Sequence, residues 1–101
     1  MTSKVQFIKN VDNLPNELFS GRQHKRYTNL RRIGNLCYGQ REAGTTFDID
    51  LDILYHAYTE CEKINTVVLR DKGYVKGFKR SPSVAIMKAA GLLDEDGYTI
   101  K

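Results

Sequence analysis

Asp48, Asp50 and Asp52 alternate in a D-x-D-x-D string, the carboxylate spacing with which a calcium loop opens. Such a loop also needs Gly at its sixth position and a bidentate Glu at its twelfth. Counted from Asp48, those positions hold Ile53 and Thr59. A divalent-metal nuclease could use the same carboxylates but would need further ligands, and the sequence places none. The string therefore reads as the acidic start of a helix, where carboxylates suit the positive end of the helix dipole. His24 and His56 are the only histidines, and neither has a metal-ligand partner at a suitable spacing. In this reading His24 is a phosphate contact and His56 a partly buried structural residue. Cys37 and Cys61 are too few for a disulfide framework or a structural zinc site. They read as buried thiols of a cytoplasmic protein, because free Cys packs as a small hydrophobe. No catalytic residue, metal or cofactor is assigned, and binding is favoured over catalysis.

The segment Asp71–Arg80, DKGYVKGFKR, carries a different chemistry. Lys72, Lys76, Lys79 and Arg80 interleave with Tyr74 and Phe78. Cations of this kind neutralise phosphates, and aromatic rings stack on exposed bases. Gly73 and Gly77 allow the backbone to approach a ligand closely. Lys72-Gly73-Tyr74 fits the first three positions of the RNA-recognition signature, but Val75 and Lys76 depart from it, so no family is assigned. A second basic stretch, Arg22–Arg32, contributes Arg22, Lys25, Arg26, Arg31 and Arg32, with Arg70 beside the first segment. Together these twelve residues form the candidate nucleic-acid-binding set, the cations for phosphates and Tyr74 and Phe78 for stacking.

Charge is unevenly distributed along the chain. The net value is +4. Residues 21–43 hold Arg22, Lys25, Arg26, Arg31, Arg32 and Arg41 against Glu42 alone. Residues 44–66 hold Lys63 against Asp48, Asp50, Asp52, Glu60 and Glu62. Residues 67–80 are basic again, with Asp71 the one carboxylate. Two basic blocks that met in space would attract a polyanion. Two that paired with the acidic block between them would leave no field.

The elements that must position these residues follow from periodicity and punctuation. Val5–Ile8 alternates like a strand, Asn10–Pro15 reads as loop, and residues 1–14 could extend as an arm. Pro15 opens a short helix through Phe19, ended by Gly21. Tyr27, Leu30, Ile33, Leu36 and Cys37 recur at steps of three and four, which predicts a helix over Lys25–Gln40 with Gly34 as a weak point and Gly44 as the stop. Phe47, Ile49, Leu51 and Ile53 alternate with aspartates like a strand. Yet Leu51, Leu54, Tyr55, Tyr58 and Cys61 keep helical spacing, which leaves 45–53 open between the two. The simplest resolution is an extended entry at 45–48 and a helix from about Asp50 to Lys63. Asn65 caps a short helix over Val67–Lys72, closed by Gly73. Tyr74–Arg80 is loop. Ser81-Pro82 starts a buried helix that runs to Ala90 and stops at Gly91. Asp94–Gly97 is a turn, with Tyr98–Ile100 a closing strand.

With 101 residues, 41% apolar and 28% charged, the chain fits one domain with one core. No apolar run is long enough for a membrane span, and Met1–Asn10 lacks the apolar core of a secretory signal. The expected fold class is α+β but predominantly helical: about four helices with short terminal strands, of helix-turn-helix or winged-helix type. The expected function is nucleic-acid binding, regulatory, with DNA favoured over RNA. The alternative is a module that binds an acidic protein surface or self-associates as a homo-oligomer.

Overall fold

The computed structural model describes residues 2–19 and 25–101. Ser3 accepts a hydrogen bond from the Gln6 amide and caps helix α1, Lys4–Asp12, whose Phe7 and Val11 are buried. This helix stands where a strand was expected at Val5–Ile8, and it occupies the stretch read as an arm. Phe7 has no exposure at all and packs against the rings of Tyr55 and Tyr58. A helix that buries its apolar side wins over a short alternation of residue types.

The largest correction concerns residues 25–41. They form no helix. Strands β1 (Leu18–Phe19), β2 (Arg26–Ile33), β3 (Leu36–Arg41) and β4 (Thr46–Asp50) build one antiparallel sheet in the order β1-β2-β3-β4. The fold is thus sheet-rich α+β and not predominantly helical, and the helix-turn-helix or winged-helix assignment for the chain falls with it. The cause of the misreading is a β-bulge. Asn29 and Leu30 together lie opposite Gly39, between the pairs Thr28↔Gln40 and Arg31↔Tyr38. Asn29 takes the left-handed conformation (φ 54°) that asparagine tolerates, and the Leu30 amide donates to the Asn16 carbonyl (2.9 Å). The extra residue lengthens one strand step from two to three. Tyr27 and Leu30 therefore share a face at a spacing that mimics a helix. At Gly34-Asn35 the chain reverses in a two-residue turn with Gly34 at φ 61°. Gly at the first position is the hairpin signature that keeps strand twist.

One face of the sheet carries Tyr27, Leu30, Cys37, Phe47 and Ile49, all buried. Gly39 lies between them, and a Cβ there would fall 2.4 Å from the Phe47 ring and 2.8 Å from Leu30. The missing side chain is the space those two residues fill. The core continues into α1 and three later helices: α2 (Leu51–Glu60), α3 (Thr66–Asp71) and α4 (Arg80–Ala89). The opposite sheet face, with Arg26, Thr28, Arg31, Tyr38, Thr46 and Asp48, is exposed or half-buried.

Downstream of residue 45 the local signals hold. The extended stretch is β4, and Asp50 caps α2 by accepting from the Asp52 and Ile53 amides. Asn65 caps α3 through the Val68 amide. Gly73 (φ 76°) and Gly91 (φ 75°) follow the ends of α3 and α4. Helix α4 starts earlier than Ser81. A single 3-10 turn, Gly77–Lys79, runs directly into it at Arg80. Pro82 still falls in the first turn, where its missing amide costs nothing, and Ser83 donates to the Lys79 carbonyl (2.7 Å). Instead of a closing strand, the C-terminus makes two isolated bridges, Lys63↔Tyr98 and Leu93↔Thr99. The Asp94–Gly97 turn carries the second. Cys37 and Cys61 are both buried and free, and burial pushes the Cys37 thiol up to about 11. His56 is largely exposed, not partly buried as expected, and stands edge-on to Tyr74.

Candidate nucleic-acid interface

Because residues 26–33 are a strand, the Arg22–Arg32 stretch is drawn out rather than gathered on one helical face. Arg26 and Arg32 lie six residues apart along β2, about 20 Å at the rise of a strand. Each is held by a carboxylate at its own end. Arg26 donates from Nε and Nη2 to Glu17 (2.5 and 3.0 Å), and Arg32 from the same two atoms to Asp12 (2.6 and 2.9 Å). These forked hydrogen bonds hold the Glu17 and Asp12 carboxyls below their ordinary range. Arg31 lies over the Tyr38 ring at 5.3 Å and donates to the Asn29 carbonyl. Lys25, half-buried, precedes β2 and makes no ion pair among the described residues. Arg22 and His24 lie outside the described residues.

In the Asp71–Arg80 segment two lysines, Lys72 and Lys76, are exposed and make no ion pair among the described residues. Arg70 pairs with its neighbour Asp71 (2.9 Å), and Arg80 donates to the Gly77 carbonyl (2.9 Å). Lys79 reaches Asp48 on β4 (2.6 Å), and that hydrogen bond lowers the Asp48 carboxyl pKa. Phe78 is 44% exposed, and the Arg41 guanidinium sits 5.1 Å from its ring centre. Arg41 ends β3, and Tyr27 pairs with it across the sheet. Arg41, which lies outside both basic stretches, thus joins the sheet to the Asp71–Arg80 segment at Phe78.

Beside this contact runs a cleft of about 270 Å³. Asp48, Ile49, Asp50 and Ile53 form one wall, Tyr74, Val75, Lys76 and Lys79 the other. A smaller cleft of about 180 Å³ lies between α1 and β2, near Arg31 and Arg32. Its Arg32 is already taken by Asp12.

Of the twelve predicted residues, Tyr74, Lys76, Phe78, Lys79 and Arg80 come together around one end of the sheet. Arg31 and Arg32 lie at the far end of β2. Sequence reasoning missed three contributors: Arg41, counted only in the charge balance, and Ile53 and Val75, which wall the cleft. The alternation of Phe47 and Ile49 with Asp48 and Asp50 is the sequence signal of the strand beside it.

Among the described residues, no group of three His, Cys, Asp or Glu is placed to hold a metal ion. No helix among them is long and apolar enough to cross a membrane. Comparison with family models, with curated proteins and with solved structures returned no match.

Proposed function

We propose that the chain binds nucleic acid through the basic–aromatic cluster centred on Phe78. The contact of Arg41 with Phe78 supports this reading most directly. It adds a cation from the sheet to Lys76, Lys79 and Arg80, and it leaves the ring partly open. Cations around an accessible ring are what a strand of nucleotides meets on a binding surface: charge for the phosphates, a π-face for a base. Lys72, exposed where α3 ends, extends the set. A helix of six residues such as α3 is short for reading a duplex groove, and the cluster lies on a turn. Single strands therefore suit it better than the duplex DNA favoured from sequence.

The test is a fluorescence-anisotropy titration with labelled duplex DNA, single-stranded DNA and hairpin RNA, each at low and moderate salt. Binding should weaken steeply with salt, since each phosphate neutralised adds about 0.9 to the slope for duplex DNA and about 0.7 for a single strand. Absence of binding to all three at low salt defeats the reading and turns attention to an acidic protein surface.

A further inference from the structure

The cleft beside β4 has an unusual wall. β4 is the last strand of the sheet and pairs only with β3. The ladder is bracketed by hydrogen bonds from the Arg41 amide to the Thr45 carbonyl and from the Leu51 amide to the Asn35 carbonyl. In an antiparallel ladder residues alternate between bonding their partner strand and facing away from it. Phe47 and Ile49 thus bond to β3, and the amide and carbonyl of Asp48 point outward together. A strand at the end of a sheet leaves such groups unpaired; on β4 they face this cleft. Its carboxylates are not free. Asp48 is paired with Lys79, and Asp50 accepts from the α2 amides. What remains for a ligand is a donor and an acceptor side by side, apolar surface from Ile53 and Val75, and the charge of Lys76.

We infer that this cleft takes a single unstacked nucleobase, and the inference rests on the nucleic-acid reading above. The outward N–H and C=O of Asp48 meet the neighbouring acceptor and donor on the base's pairing edge. Ile53 and Val75 flank the ring, and Lys76 takes an adjoining phosphate. At about 270 Å³ the cleft is smaller than the roughly 300–1,000 Å³ that hold drug-sized ligands, a scale suited to one planar ring system. An added peptide strand fits less well. The cleft follows β4 only over Asp48–Asp50, whereas strands usually run about 5–6 residues.

The experiment compares a labelled short single strand with an abasic strand of equal length and charge. The chains compared are wild type, Asp48→Pro and Asp48→Asn. Proline removes an outward amide, a position where edge strands tolerate it; asparagine keeps that amide and removes the same carboxylate. The base-bearing strand should bind wild type and Asp48→Asn roughly tenfold more tightly than the abasic one. In Asp48→Pro that ratio should fall several-fold, the remainder coming from stacking on Phe78. A ratio equal in Asp48→Pro and Asp48→Asn overturns the base site. Salt-dependent binding indifferent to bases also overturns it, yet leaves the phosphate reading standing. No binding of either strand removes both. If Asp48→Pro does not fold, the wild-type amide resonances of Asp48 and Asp50 replace it. They should shift on titration with nucleoside monophosphates, and unmoved resonances overturn the inference.

Discussion

The two basic stretches look alike as sequence and behave differently as structure. Along β2, Arg26 and Arg32 each grip a carboxylate from the N-terminal segment, Glu17 and Asp12. They hold that segment against the sheet. Between α3 and α4, Lys72 and Lys76 have no such partner among the described residues, and Phe78 stands open beside Arg41. A regular strand backed by an acidic neighbour converts its charge into internal pairing. In the glycine-containing turn the pairing is partial: Lys79 is held by Asp48, while Lys72 and Lys76 are left to the solvent. Density of Lys and Arg alone therefore does not locate a binding surface.

The strongest way to break this contrast is charge reversal. Lys76→Glu with Lys79→Glu and Arg80→Glu should lower affinity for single strands by about a hundredfold at moderate salt. It should also flatten the salt slope by about 2, at roughly 0.7 per lost phosphate contact. The control, Arg26→Gln with Arg32→Gln, should shift affinity by less than about threefold while lowering the melting temperature. Anisotropy and thermal melts separate the two, and equal losses of affinity would erase the distinction between the stretches.

The next test loosens the sheet that keeps Arg26 and Arg32 apart. Gly39→Ala drives a methyl into Phe47 and Leu30 and should cost about 1–3 kcal/mol by overpacking, read by urea denaturation. Smaller is the acid response. The Asp12 and Glu17 carboxyls are lowered by hydrogen bonds from Arg32 and Arg26, against ordinary values of 3.8 and 4.5. A carboxyl lowered on folding contributes stability that is complete above its ordinary value and lost as pH falls through the lowered one. Melting temperature should decline on that acid limb, and Asp12→Asn should make the limb shallower. Least of all should thiol reagents act. With Cys37 buried and its pKa near 11, that thiol should resist alkylation at pH 8 until the chain unfolds, as a mass-spectrometric count of adducts would show.

Where a structural decision depends on a few adjacent residues, the sequence carried it. Asn65 before α3, Asp50 before α2 and the glycines at 73 and 91 act through caps that reach three or four positions. Residues 25–41 failed because the bulge at Asn29-Leu30 lends a strand the spacing of a helix, and because Gly34-Asn35 is a turn signal as much as a helix flaw. Lys76, Phe78 and Lys79 were visible as composition. The meeting of Arg41 with Phe78 was not, since it depends on how β3 and the turn before α4 are folded together.

The outward edge of β4 has one more consequence, for behaviour at high concentration. An open sheet edge is a template on which like edges stack into growing arrays. Here two copies meeting edge to edge would bring the exposed Asp50 of one strand against the acidic edge of the other. Like charges directly opposed across strands repel. The carboxylate that ends the sheet thus also keeps it finite, and Asp50→Asn, which removes that charge, should favour aggregation along this edge.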